Sequence, residues 1–370
     1  VEVYVQASNI RKFKDEEYQK LGVAVLDSVE DCDILIGVKE VPIEQLIPNK
    51  KYLFFSHTFK EQPYNRQLLK ALLDKNIQLI DWEVIKDTKG RRLIAFGRYA
   101  GIVGCYNGFL AYGKKSGAYN LKPAHQCDDR ADMEAQLVNV KLPNNFKIVI
   151  TGHGRVGGGA MEIISKLNLK EVDSPEFLNK EFNEPVFTQL GVDEYNAKSD
   201  GSNFAKADFY KDPSSFVSTF NQYASIADFY IACHYWDSEA PFIFTREDAK
   251  AKDWNIQIVA DISCDIDCAI ASTLRPSTIA EPHYGYNPIT ESEDDFMKEG
   301  VIGVMAVDNL PCELPLDASV DFGKMFLEHV LEPLTGNDPD DIIGRASETL
   351  NGELTEHFAY LGDYVNGTTV

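Results

Sequence analysis

Phe146-Lys147-Ile148-Val149-Ile150-Thr151-Gly152-His153-Gly154-Arg155-Val156-Gly157 is the stretch whose reading decides the fold. Its first half is a β-branched apolar run of the kind that forms a buried parallel strand. Its second half is a G-x-G-x-x-G turn, and Ala160 to Leu167 then carries helical periodicity. Strand, glycine turn and helix in that order aim a helix N-terminus and its free amides at a pyrophosphate. Gly152 is expected to make the tight turn, Gly154 to let the backbone approach the phosphates, and Gly157 to let helix and strand pack closely. The competing reading treats Gly157-Gly158-Gly159 as a flexible loop, and the flanking strand and helix argue against it.

The next strand is expected over Leu169–Val172. It ends at Asp173, about 20 residues beyond the first glycine, the distance at which an acid meets the ribose hydroxyls and favours NAD over NADP. Roughly 140 residues precede the fingerprint, enough for a domain of their own. The cofactor module is therefore one of two domains rather than the whole protein.

Composition limits the function classes. The chain has 370 residues, 44% of them hydrophobic and 25% charged, which describes an ordinary globular protein of two domains. A net charge of −22 argues against nucleic-acid binding and against anionic membrane surfaces, because both need a basic face. Val1–Val5 already reads as a strand, so no signal peptide is expected within these residues, and a leading segment is expected to be missing before Val1. Seven scattered cysteines do not form a disulfide framework, so reduced thiols and a cytoplasmic setting are expected. Cys264-Asp265-Ile266-Asp267-Cys268 lacks a second cysteine pair or a nearby histidine at ligand spacing, so no metal is expected. Leu93–Gly113, the least polar stretch, contains Arg98, Asn107 and several glycines and reads as a closely packed internal helix rather than a membrane span.

Alternating strands and helices open the chain. Strands are expected at Val1–Gln6, Ile34–Val38, Tyr52–Phe55 and Ile77–Asp81, with helical segments at Glu16–Leu21, Ile43–Leu46 and Asn65–Lys75. This alternation predicts a mostly parallel sheet, so the first domain is α/β as well. After Asp173 come a long polar insertion, Ser174–Ser214, and strands at Phe229–Cys233, Ile256–Ala260 and Val301–Met305. Helices are expected at Phe322–Leu331, Asp341–Thr349 and Glu353–Leu361. That tail is expected to return to the first domain, which then comprises 1–135 plus 320–370, with the cofactor domain at 136–319.

Functional groups in open α/β sheets collect beyond the carboxyl ends of strands. Lys39-Glu40 ends the second strand, His57 and Lys60 follow the third, Glu83 follows the fourth, and Arg91-Arg92 lie in the next connection. Packing does not explain so many ionisable groups at one edge. A lysine desolvated among cations can act as a base near neutrality, where histidine already titrates. In the cofactor domain Asp261–Asp265 and Val307–Pro311 follow buried strands, as does His234-Tyr235-Trp236. The bland alternative for Ser263 and Asp308 is helix capping.

These segments together resemble the lysine-forming saccharopine dehydrogenases, within the alanine dehydrogenase and pyridine nucleotide transhydrogenase superfamily. The resemblance is carried by Ile36–Pro42, Phe55–Gln62, Gly90–Gly97, Gly154–Gly157 and Val307–Pro311. It implies an α/β fold of two Rossmann-like domains with parallel sheets and a cofactor and substrate cleft between them. It implies an NAD-dependent oxidoreductase acting on a C–N bond, in which Lys39 takes a proton from the secondary amine and His57 serves as acid/base for carbinolamine formation and hydrolysis. Lys60, Gln62, Arg92, Phe96, Ser263, Cys264 and Asp265 would contact substrate, and the Arg92 guanidinium suits a carboxylate. NAD would be held by Arg91, Gly152, Gly154, Arg155, Gly157, Asp173, Tyr235, Ile262, Val307, Asp308, Asn309 and Leu310. The partners implied are small amino-acid and 2-oxo-acid substrates, in a monomer or small homo-oligomer. The alternatives are alanine dehydrogenase or another amino-acid dehydrogenase, and a non-catalytic NAD-binding sensor.

Overall fold

A computed structural model describes residues 1–266 and 268–367. Asp267, within the candidate cysteine motif, and residues 368–370 lie outside the described residues. The chain divides into two compact units, one formed by Val1–Ala95 with the segment from Ser319 onward, the other by Phe96–Ala318.

The first unit opens with β1 (Tyr4–Gln6), α1 (Asp15–Lys20) and β2 (Ala24–Leu26), and β1 and β2 form a parallel pair of their own. It continues with β3 (Ile34–Lys39), β4 (Lys51–Phe55), α2 (Arg66–Asp74) and β5 (Gln78–Asp81), and these three strands pair in parallel. The stretch Ile43–Gln45, expected as a helix, is a single 3-10 turn.

The second unit begins with α3 (Gly97–Ser116) and α4 (Arg130–Ala135). Next come β6 (Lys147–Thr151), α5 (Arg155–Ile164), β7 (Lys170–Glu171), α6 (Ser174–Asn179) and β8 (Val186–Leu190). A small excursion follows, with β9 (Asn196–Lys198), α7 (Lys206–Lys211), β10 (Phe216–Ser218) and α8 (Asn221–Ala224). Then come β11 (Phe229–Ala232), α9 (Arg246–Ala249), β12 (Ile258–Asp261), β13 (His283–Asn287), β14 (Ser292–Asp294) and β15 (Ile302–Met305). The eight-stranded sheet has the order β14-β13-β15-β12-β11-β6-β8-β7. It is parallel except for β13 and β14.

Every residue of β6 is buried, as a parallel strand covered on both faces must be. Ile148 and Ile150 face a core shared with α3 and α5, while Val149 faces a second core with Tyr230, Val259 and Val304. Helix α3 is the expected internal helix. It approaches α5 so closely that a Cβ on Gly101 would lie 1.9 Å from the Val156 carbonyl oxygen, and one on Gly159 would lie 2.0 Å from that of Arg98. This contact sets α3 inside the second unit, so the first crossing falls at residue 95 rather than near 135. Among the described residues no helix is long and apolar enough to cross a membrane.

The chain then returns through α10 (Pro315–His329), α11 (Leu331–Thr335) and α12 (Ile342–Ala346) to β16 (Ser347–Leu350), β17 (Glu353–Leu354) and α13 (Gly362–Asn366). Strand β16 pairs antiparallel with β5 and completes a five-stranded sheet of order β17-β16-β5-β4-β3. Two expected helices of the tail are thus partly strand. Asn351 and Gly352, with φ of 55° and 77°, make the tight turn between β16 and β17.

Candidate functional site

In the first unit the candidate residues gather where β3, β4 and β5 end. A bulge between Ile36 and Lys39 brings Lys39 opposite Phe55, and the Gly37 carbonyl in that bulge accepts the Trp82 indole N–H at 2.8 Å. Lys39 is exposed at the strand end rather than desolvated, contrary to expectation, because a bulge at a sheet edge turns its side chain outward.

His57 follows β4 in a left-handed turn (φ 56°), a conformation that costs energy for a non-glycine residue. Its ring stacks on Phe55. Burial holds His57 below the ordinary histidine range, the charge of Lys60 adds to that effect, and Glu83 and Asp81 oppose it.

The Glu83 carboxylate is a common centre. Lys60 Nζ lies 3.0 Å from it, while His57 Nε2 and Arg92 Nη1 each lie 3.7 Å away. The Arg92 guanidinium sits over the Phe55 ring and donates from Nε to the Ile94 carbonyl. Gln62 is on the same loop as Lys60, its backbone carbonyl accepting from the Tyr364 hydroxyl at 2.6 Å. Arg91 instead points into its own turn, with Nε 2.7 Å from Asp87. The structure thus brings His57, Lys60 and Arg92 to one carboxylate, with Lys39 adding its charge at His57.

Beneath this cluster lies a buried set that sequence reasoning missed. Asp81 is fully buried; its Oδ2 accepts from Ser56 N (2.7 Å), Ser56 Oγ (2.6 Å) and His57 N (3.3 Å), and its Oδ1 from Glu83 N (2.6 Å). Glu348, also fully buried, comes from β16. The missed signal was Asn351-Gly352, a hairpin turn that marks the residues before it as strand.

In the second unit Gly152 has φ +96°, and a Cβ there would lie 2.6 Å from the Cys233 carbonyl oxygen. Gly154 precedes α5, where an added Cβ would meet nothing within 4 Å, and a Cβ on Gly157 would strike the Gly152 carbonyl at 2.2 Å. Arg155 opens α5 and is exposed. The loop therefore leaves a helix N-terminus with uncovered backbone, the cradle that a pyrophosphate fits.

Asp173 does not stand beside this loop. Strand β7, which it follows, is the outermost strand, and Asp173 caps α6 by accepting from Glu176 N at 2.8 Å. Between β6 and β7 lies β8, inside the stretch expected to be a polar insertion. Its end abuts the fingerprint: Gly152 N donates to the Leu190 carbonyl (3.0 Å) and Gln189 Nε2 donates to the Gly152 carbonyl (2.8 Å). Gly191 N donates to Glu194 Oε2, and Asp193 is exposed at that tip.

The remaining candidates divide by burial. Ile262, Val307 and Leu310 are core side chains, so only their backbones could meet a ligand, whereas Tyr235, Asp308 and Asn309 are exposed. Phe96, just ahead of α3, is half-buried against the core of this unit. Ser263 Oγ donates to Asp261 Oδ1 at 2.6 Å, so it braces its own loop rather than capping a helix. Cys264 adopts φ 50°, and burial with the nearby Asp261 pushes its thiol up to about 12. Asp265 is exposed beside it. All seven cysteines are free, and no group of three or more metal-ligating side chains occurs among the described residues.

Residues 1–103 match the family described as alanine dehydrogenase/PNT, N-terminal domain. The saccharopine dehydrogenase [NAD(+), L-lysine-forming] of Candida glabrata is 27% identical to this chain, the alignment covering 94% of this chain and 88% of that protein. By sequence, then, the chain is similar to lysine-forming saccharopine dehydrogenases. The mitochondrial alpha-aminoadipic semialdehyde synthase of Rattus norvegicus is 29% identical over 97% of this chain, and the chain spans 44% of its length, less than half. Among solved structures an L-alanine dehydrogenase superposes with a TM-score of 0.65 at 15% identity, covering 100% of this chain and 91% of that one, a likeness of fold.

Proposed function

We propose that this chain is an NAD-dependent oxidoreductase acting on a C–N bond, converting saccharopine, NAD and water to L-lysine, 2-oxoglutarate, NADH and a proton. The observation that carries the reading is the convergence of His57, Lys60 and Arg92 on one carboxylate, with Lys39 near by. Saccharopine has three carboxylates, and a cationic cluster already arranged around a carboxylate suits it. The relatedness to lysine-forming saccharopine dehydrogenases supports the same substrate class.

The Gly152–Gly157 cradle suits the cofactor's pyrophosphate. When bound, its nicotinamide supplies the two-electron acceptor for the glutamyl α-carbon. The chain's own residues do the rest. Lys39, at the end of β3, takes the amine proton once bound substrate shields it from water. His57, kept neutral near pH 7, removes and returns protons as water adds to the imine and the carbinolamine collapses. Arg92 and Lys60 orient carboxylates. Asp193, at the end of the strand beside the fingerprint, is proposed in place of Asp173 for the ribose hydroxyls, because the acid that reads the ribose must end the neighbouring strand.

The test follows NADH and NADPH oxidation with 2-oxoglutarate plus lysine, and separately with pyruvate plus ammonia. Turnover with the first pair and NADH is expected. Turnover only with pyruvate and ammonia would make the chain an alanine dehydrogenase, and NADH binding without turnover of either pair would favour a sensor.

A further inference from the structure

Glu348 is the extra residue of a bulge in β16: Ser347 pairs with Ile80 and Thr349 with Leu79, leaving Glu348 unpaired in the ladder. A bulge re-aims a side chain, and here it sends a carboxyl into the interior beneath the His57 turn. Ser347 and Thr349 spend their hydroxyls on the Ile343 and Ile77 carbonyls. Glu348 instead reaches Thr58 Oγ1 at 2.5 Å and Ser56 Oγ at 3.2 Å.

These contacts continue as a series. Thr58 Oγ1 is 2.6 Å from Ser56 Oγ, and Ser56 Oγ is 2.6 Å from Asp81 Oδ2. Three short oxygen–oxygen contacts in a row need three hydrogens, and the two hydroxyls supply two. The third must be a carboxyl proton. Asp81 receives three backbone N–H bonds, which suit its charged form, whereas the Glu348 carboxyl meets only hydroxyls. Glu348 therefore carries the proton and donates to Thr58, Thr58 donates to Ser56, and Ser56 donates to Asp81. The two residues that bracket His57 are held from both sides.

We propose that Glu348, as a buried protonated carboxyl, is a positioning residue that locks the left-handed turn presenting His57. Burial and the adjacent Asp81 push Glu348 up to about 8, consistent with this. The other titratable groups facing it are Tyr360 and Tyr364 from the C-terminal turns. The proposal rests on the reading of His57 as the acid/base group, but its first test does not need turnover.

The experiment titrates the His57 ring by NMR, its resonance assigned by loss in His57→Asn, in full-length protein and in Glu348→Gln, Glu348→Ala, Thr58→Ser and Thr58→Val. Gln keeps a donor toward Thr58 and Ser keeps the hydroxyl, so both are expected to retain the wild-type midpoint and kcat within about twofold. Ala and Val break the series. In both, the midpoint is expected to rise toward the unperturbed value of about 6.5, and kcat to fall about tenfold or more with KM for NADH unchanged. An Ala or Val variant with an unmoved midpoint overturns the proposal, as does a Gln variant as impaired as Ala, which would mean the ionised carboxylate is needed. Thr58→Val keeps the volume of the side chain and decides the matter should Glu348→Ala fail to fold. If the wild type turns over neither substrate pair, the functional reading fails while the titrations still decide whether Glu348 positions His57.

Discussion

Lys39 ends β3, His57 and Lys60 follow β4, and Arg92 lies in the connection after β5; this placement was legible from the chain, because a short parallel strand places whatever follows it at one edge of the sheet. Replacing Lys39 with Met is expected to lower kcat for saccharopine formation by about a hundredfold or more while leaving NADH affinity, measured by fluorescence titration, unchanged. Loss of both Lys60 and Arg92 is expected to raise KM for the dicarboxylate substrate by at least about a hundredfold, since each charge-assisted contact contributes roughly 1.5–3 kcal/mol. Equal weakening of pyruvate turnover would remove the case for a multiply charged substrate. The residues beneath these four were not legible. Asp81 and Glu348 lie far apart in the chain, and no local pattern announces that two carboxyls will be joined through two hydroxyls.

Helix α5 shows how far periodicity carries and where it stops. The run Gly157-Gly158-Gly159 reads as either turn or helix by composition, and in the structure all three lie within the helix. Their neighbours distinguish them. A Cβ on Gly159 would press on the Arg98 backbone and one on Gly157 on the Gly152 carbonyl, while Gly158 has nothing within 4 Å. Gly158→Ala is therefore expected to leave stability unchanged or raise it by up to about 1 kcal/mol. Gly159→Ala is expected to cost about 3 kcal/mol or more, because the obstructing atoms are backbone and cannot rotate aside. Urea denaturation of the two variants checks the contrast. Strand β8 makes the opposite point. Val186–Leu190 has the composition of a buried strand, but the polar residues on either side hide it, and only pairing with β6 reveals it as the strand beside the fingerprint.

Glu348 in the first unit and His234 and His283 in the second are buried groups shifted in opposite senses. In the first, Glu348 is raised to about 8, so the native state holds a proton that the unfolded chain releases near pH 4.5; the associated stability, on the order of 5 kcal/mol, is present below that value and is lost as pH rises through about 8. In the second, burial lowers His234 and His283 to about 4, so the unfolded chain binds protons the native state refuses, and stability is lost as pH falls from about 6.5 toward 4. Thermal scans at pH 5, 7 and 9 are expected to show an acid-side loss to which His234 and His283 contribute and an alkaline-side loss to which Glu348 contributes. Glu348→Gln should reduce the alkaline loss and leave the acid loss unchanged. A wild-type protein with equal melting behaviour at pH 7 and 9 would contradict the buried proton.

What the chain determined unaided were features encoded within a few residues of one another: the strand–glycine–helix unit, the internal helix of Leu93–Gly113, the alternation of strands and helices, and the edge at which Lys39 and His57 stand. Each follows from side-chain periodicity or from the φ that a glycine permits. Tertiary structure decided the order of strands, and with it the exclusion of Asp173 from the fingerprint's side, because pairing between strands depends on which surfaces can be buried together and not on distance along the chain. It also decided that the returning tail would add a strand to the first sheet and deliver Glu348 beneath His57. A bulged residue is aimed by the partner strand it fails to match, and that partner, β5, lies more than two hundred residues away.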